Sequence, residues 1–213
     1  MECKCRFFGR EYEQFDDSSI KVTARDNTET TLPISFTKGT RTSESKATEG
    51  EISQLRSVNG SLSWIARQCR PEKTYICGKL QQIVNIAHVK HLDVANATLQ
   101  DMKDTSDRGL FFKYGACKFS EAIMTTISDA SWANGQKVVY TDMDVKIFPR
   151  KSQFGRFTLL GHPDLWDADE GYVHIIGFKS GLIKRTCRST FRAEAHGMLY
   201  ATEASDNLRA VIS

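Results

Sequence analysis

Proline is scarce in this chain, four in 213 residues, and no apolar run approaches the ~18 residues that a bilayer-crossing helix needs. With only fourteen glycines besides, collagen-like and linker-dominated chains are excluded. No Cys-x-x-Cys pair occurs. The six cysteines, at 3, 5, 69, 77, 117 and 187, are scattered, so neither a zinc site nor a disulfide framework is expected and the thiols read as reduced. The opening segment MECKCRFFGREYEQ lacks an apolar signal core. The expected location is therefore intracellular, in the cytoplasm or nucleus. A strong excess of one charge is missing too: 29 basic residues stand against 26 acidic ones. Such a balance permits a polyanionic partner without arguing for one, because phosphate binding needs local clustering. Clusters of that kind exist at Arg150-Lys151 and across Lys179, Lys184, Arg185, Arg188 and Arg192.

What is present is an ordinary globular balance, 40% hydrophobic and 26% charged, in a length that suits one large or two small domains. Residues 1–48 are polar, with short apolar pieces at Phe7-Phe8, Ile20–Val22 and Leu32–Phe36 that suggest short strands, and Thr37–Thr48 reads as an exposed connection. Residues 49–113 form a second, mainly helical region. Ile52, Leu55, Val58, Leu62 and Ile65 recur every three or four residues and define one helix face, which Pro71 closes. Further helices are expected over Thr74–His88 and Leu92–Met102, ended by the Asp107-Arg108-Gly109 turn. Residues 114–213 form a third region. Strands are expected at Leu110–Phe112, closing the second region, and at Ile123–Ser128, Gly155–Leu160 and Tyr172–Phe178 in the third, all short and rich in β-branched or aromatic residues. Ser189–Ile212 then returns to helical spacing. Helices followed by antiparallel-looking strands and one long helix predict an α+β fold.

Two carboxylates stand out. Asp129 ends an apolar strand in TTISDASWAN, where small residues follow it, a placement that suits a metal ligand, although this segment alone favours an Asp that opens a turn. Glu194, in RSTFRAEAHGM, falls one turn inside a helix that Ser189 or Thr190 would cap, a common place for Glu. His88 and His91, three apart, have no third ligand nearby and are expected to be structural. Trp64, Trp132 and Trp166 read as core or rim aromatics.

Taken in order, several segments resemble the Pol polyprotein of copia-type LTR retrotransposons. LRSVNGSLSWIARQCRPEKTY is similar to L-x-G-x-L-x-Y-x-x-x-x-R-P-D-[IL]-x-[FY], although Glu72 replaces the Asp of that motif. LQDMKDTSDRGLFF resembles L-x-Y-L-K-x-T-x-x-x-G-L. ISDASWA resembles Y-x-D-A-D-W-A, and RKSQFGRFTLLG resembles R-[KR]-S-T-S-G-Y-x-x-x-L-G. HIIGFKSGLIKRTCRSTFRAEAHGM resembles I-x-W-x-S-K-K-Q-x-x-x-x-x-S-S-T-x-A-E-Y-x-A. The likeness covers residues 50–213 and places them at the end of reverse transcriptase and the start of its ribonuclease H.

This resemblance implies a helical connection region followed by an incomplete ribonuclease H-like mixed sheet with one long C-terminal helix. It implies cleavage of RNA in RNA–DNA hybrids by Mg²⁺ ions, with Asp129 and Glu194 as catalytic and metal-binding carboxylates facing one cleft. Lys179, Lys184, Arg185 and Arg188 would then contact hybrid phosphates. Other expected partners are the rest of the polyprotein or a second copy of the chain. The pattern also departs from the family. Its later catalytic Asp residues are missing: Asp206 lies twelve residues beyond Glu194 on the same helix, about 18 Å at 1.5 Å per residue, too far to share a metal. The polymerase Asp pair is missing as well. Phe15-Asp16-Asp17 reads as a turn, and Tyr140-Thr141-Asp142-Met143-Asp144 as an exposed insertion. Little or no activity is expected of the chain alone; a non-catalytic module that binds nucleic acid or protein is the alternative.

Overall fold

The computed structural model describes residues 3–140, 145–167 and 170–212. It is a mixed α and β protein with five helices and two antiparallel sheets among those residues.

Three short strands open the chain: β1 (Cys3–Phe7), β2 (Arg10–Gln14) and β3 (Ile20–Thr23). The β1–β2 hairpin turns on Phe8 (φ 47°) and Gly9 (φ 74°). Left-handed backbone favours glycine at position 9, and space requires it, since an added Cβ would lie 2.9 Å from the Trp64 ring. Phe15-Asp16-Asp17 forms the next turn, as expected, where the Asp17 carboxylate accepts from the Ser19 N–H (3.0 Å) and pairs with Lys113. A short helix α1 (Arg25–Thr30) follows. Leu32–Phe36 is not a strand. Its backbone is satisfied by side chains instead: the Asn96 amide binds the Ile34 N–H and carbonyl (2.8 and 2.9 Å), and Gln54 accepts from the Ser35 N–H (2.8 Å).

Helix α2 (Glu49–Cys69) starts in a capping box. Thr48 Oγ1 accepts from the Glu51 N–H, and the Glu51 carboxylate accepts from the Thr48 N–H. The α2 positions Leu55, Val58, Leu62 and Ile65 are buried, as the periodicity predicts. Pro71 ends the helix. Helix α3 (Thr74–Ile83) and helix α4 (Val89–Asp104) pack against α2 to close the larger core. The 37–48 connection is tied down rather than free: Ala47 donates to the Ala87 carbonyl and Arg41 clamps Glu51. Strand β4 (Leu110–Phe112) then pairs with β3, completing a four-stranded sheet in the order β1-β2-β3-β4. Gly109 permits that return, because a Cβ there would sit 2.0 Å from the Val22 carbonyl oxygen. The first 48 residues thus join the helical region in one sheet-and-helix unit instead of standing apart as a region of their own.

Beyond it, β5 (Ile123–Tyr140), β6 (Val145–Gly161) and β7 (Val173–Leu182) form a three-stranded antiparallel meander, with β6 central. The expected strand starting at Ile123 is much longer than the sequence suggested. The expected insertion at 140–144 falls mostly outside the described residues. Helix α5 (Thr190–Ile212) returns across this sheet. Ser189 caps it, its Oγ accepting from the Arg192 N–H (3.2 Å), as anticipated. Among the described residues no helix is long and apolar enough to cross a membrane.

Candidate functional site

The two carboxylates singled out in the sequence lie on β5 and α5, whose contact is therefore decisive. Helix α5 seats itself through small residues: Ala193, Gly197 and Ala201 are its buried positions, one turn apart. Gly197 approaches so closely that an added Cβ would lie 3.3 Å from the Ala130 Cβ. One step towards the other end of the strand, Thr126 Oγ1 bonds the Ser205 hydroxyl on α5 (2.6 Å) and donates to Thr158 Oγ1 on β6 (3.2 Å). Thr126 and Ala130 therefore point at the helix. Side chains alternate along a strand, and the β5–β6 register runs unbroken from Ile123 to Ser131. The odd positions must point the other way, and they do. Ile123, Thr125 and Ile127 line a small apolar hollow with Leu159, Leu165 and Val173 on the opposite face.

Asp129 belongs to that odd series. It is exposed, paired across the ladder with Gly155, and turned away from α5. Glu194 is half-buried on α5, three residues before Gly197, along the flank that rests on the sheet. Strand alternation thus sets Asp129 on the face of β5 opposite α5, and no hydrogen bond or ion pair among the described residues links it to Glu194. The physical reason is the two-residue strand period: the residue delivered to the helix is Ala130, and its neighbour is delivered to the far side. Neither carboxylate makes a hydrogen bond or ion pair with a described residue. Together they do not fit a Mg²⁺ ion, which demands near-octahedral oxygen ligation from convergent donors. No group of three His, Cys, Asp or Glu that could hold a metal exists among the described residues. Asp206 lies on α5 near its C-terminal end, remote from Glu194, as the helical rise required.

The histidine pair is structural. His91 Nδ1 accepts from the His88 N–H (2.9 Å) and caps α4, while the two rings stack at 5.6 Å. Burial, with His88 and Lys90 adding to it, holds the His91 imidazole below its ordinary pKa, so it stays neutral and able to accept. Glu72, the departure from the Arg-Pro-Asp motif, is matched to Arg70: that buried guanidinium donates to the Glu72 carboxylate (2.6 Å) and to both oxygens of Thr105. The Trp132 indole donates to the Cys187 carbonyl (3.0 Å) at the rim of the sheet.

The predicted phosphate contacts are all on the surface. Lys179 is exposed on β7, and Lys184, Arg185 and Arg188 are exposed in the loop leading into α5. None of the four pairs with a described carboxylate. Sequence reasoning passed over Arg56 and Arg67 of α2, both exposed. Their signal was available: Arg56, Gly60, Ser63 and Arg67 follow a 4-3-4 spacing, a second stripe beside the apolar one. No protein-family model matches this sequence, and neither a curated protein nor a solved structure matches it.

Proposed function

We propose that this chain corresponds to the stretch of a copia-type Pol polyprotein that joins the end of reverse transcriptase to the first strands and helix of ribonuclease H, and that it is silent in hybrid cleavage. The observation that carries the reading is spatial. Three consecutive strands form an antiparallel meander, and the helix after them lies back across the first strand through Gly197 and Ala130. That is the order the last three sequence motifs anticipate for this domain. The ancestral reaction is Mg²⁺-dependent cleavage of RNA in an RNA–DNA hybrid. Silence follows from Asp129 and Glu194 lying on different sides of β5, since two-metal hydrolysis needs carboxylates that converge on the scissile phosphate.

The test is incubation of the purified chain with end-labelled RNA–DNA hybrid and Mg²⁺ or Mn²⁺. The expected outcome is no cleavage above a protein-free control. Robust cleavage abolished by Asp129→Asn would contradict the proposal.

A second reading, a non-catalytic module that binds nucleic acid or protein, is favoured by the exposed, carboxylate-free cations Lys179, Lys184, Arg185 and Arg188. The two are compatible, because loss of metal ligation leaves phosphate contacts intact. The hybrid, the remaining polyprotein and a second copy of the chain are the partners this reading admits.

A further inference from the structure

Two cavities lie along the crevice between α2 and α3, one of about 470 Å³ and one of about 390 Å³. Both are lined by Ser63 and Arg67, so they adjoin at these two residues as a two-part trough. At one end stands Arg56; at the other stand Lys179 and Phe178 of β7, with Trp64 lining the wall beside Arg67. Among the described residues that line it there is no carboxylate. Its cations are not neutralised from outside either. Arg56 donates to the neutral amide of Asn85 (2.8 Å), while Arg67 and Lys179 have no hydrogen-bond or ion-pair partner among the described residues.

The trough is open because of residue choice on α2. Arg56 and Arg67 are eleven residues apart, which returns the helix to the same face and separates them by about 16 Å along its axis. Between them on that stripe lie only Gly60 and Ser63, and a Cβ at Gly60 would meet nothing within 4 Å. The wall that α3 supplies is equally open at Gly78, where an added Cβ also meets nothing within 4 Å. Buried Asn59 holds the crevice together beneath, its amide placed to donate to the Cys77 carbonyl and accept from the Gln81 N–H (3.2 Å each).

Cations spaced along a groove, amide and hydroxyl groups between them, and an aromatic ring at the β7 end match the needs of a flexible polyanion whose bases have π-faces. We infer that the α2–α3 trough binds single-stranded nucleic acid, with Arg56, Arg67 and Lys179 on its phosphates and Phe178 against a base. Duplex is disfavoured because a crevice between two packed helices admits one strand. Strand binding at this trough is independent of the nuclease lineage, since none of its residues is one of the carboxylates on which hybrid cleavage would depend.

The test is fluorescence anisotropy of a labelled 12-nucleotide oligo-dT titrated with the full chain at 25 to 200 mM salt. Binding should weaken with salt. In Arg56→Ala/Arg67→Ala the slope of log affinity against log salt should fall by about 1.4, roughly 0.7 for each phosphate that is no longer neutralised. Gly78→Glu places a carboxylate in the open wall without a backbone clash and should weaken binding at least tenfold, at a melting temperature no lower than the parent's because Glu is the better helix former. Phe178→Ala should weaken binding about fivefold or more with the salt slope intact, from a stacking loss of about 1–3 kcal/mol. Three results would overturn the inference: no binding at 25 mM salt, affinity unmoved by Gly78→Glu and the double Arg variant, or complete competition by millimolar inorganic phosphate, which would mark an isolated anion pocket.

Discussion

At the scale of single residues, ionisation and capping do much of the holding. Glu51 is one of the few buried charged groups, and it accepts three hydrogen bonds from two partners: the Arg41 guanidinium at 2.7 and 2.9 Å and the Thr48 N–H at 2.7 Å. The hydrogen bond from Arg41, with smaller help from Thr48, holds its carboxyl at about 2, below the ordinary 4.5. A carboxyl depressed in the folded state binds its proton less readily there than in the unfolded chain. Its contribution is therefore complete above about pH 5 and is lost as pH falls from 4.5 towards 2. Acid unfolding of Glu51→Gln, followed by circular dichroism, should show a shallower loss of stability across that window than the parent. Thr48→Ala should lower unfolding free energy by about 1 kcal/mol in urea titrations. Cysteine chemistry divides along the same lines. Desolvation pushes the thiols of Cys69 and Cys77 up to about 12 and 11, whereas Cys3 and Cys5 are exposed. Ellman's reagent on the native chain should modify Cys3 and Cys5 rapidly and leave Cys69 and Cys77 untouched until denaturant is added.

At the scale of elements, the contact between α5 and β5 rests on what is missing from Gly197. Even one methyl group there meets Ala130 at 3.3 Å, tighter than ordinary packing. Gly197→Leu should force α5 off the sheet at a cost of about 1–3 kcal/mol or more, with the C-terminal region becoming protease-sensitive before the α2–α4 core does. The elements also show how much could be read without coordinates. The apolar spacing of α2, the stop at Pro71 and the Ser189 cap are local patterns, and they stand where periodicity and side-chain chemistry put them. Leu32–Phe36 misled because its strand-like composition is answered by the side chains of Asn96 and Gln54, 62 and 19 residues away, and a local window sees neither. The length of β5 escaped notice because Trp132–Tyr140 loses apolar alternation while continuing to pair with β6. For the candidate site the identity of the carboxylates was legible but their facing was not. Facing depends on which parity of β5 the helix selects, and Gly197 and Thr126 decide that across more than sixty residues of chain.

At the scale of the whole molecule, two units with different interiors meet. The α2–α4 core is deep and aliphatic, whereas the core beneath α5 is small: Ala130, Phe154, Ile183, Cys187 and Ala193. A thin core leaves large apolar groups outside, among them Ile127 at 57% exposure on the open sheet face and Phe191 at 83% on α5. The meander should consequently be the less stable half, and amide hydrogen exchange should be faster in β5–β7 and α5 than in α2–α4. The α2–α3 trough belongs to the firmer half, with Lys179 and Phe178 of β7 reaching its rim from the other. Binding of oligo-dT there should slow exchange in β7 as well as in α2 and α3, a coupling that a site confined to one unit would not produce.

The central claim is that β5 presents Asp129 away from the helix that carries Glu194. Paramagnetic broadening of amide resonances by substoichiometric Mn²⁺ tests it without requiring turnover. The account predicts no joint broadening of the amides around Asp129 and Glu194, and no difference between the parent and Asp129→Asn. Selective broadening of both segments at low Mn²⁺, abolished by Asp129→Asn, would show one shared ion site and contradict it.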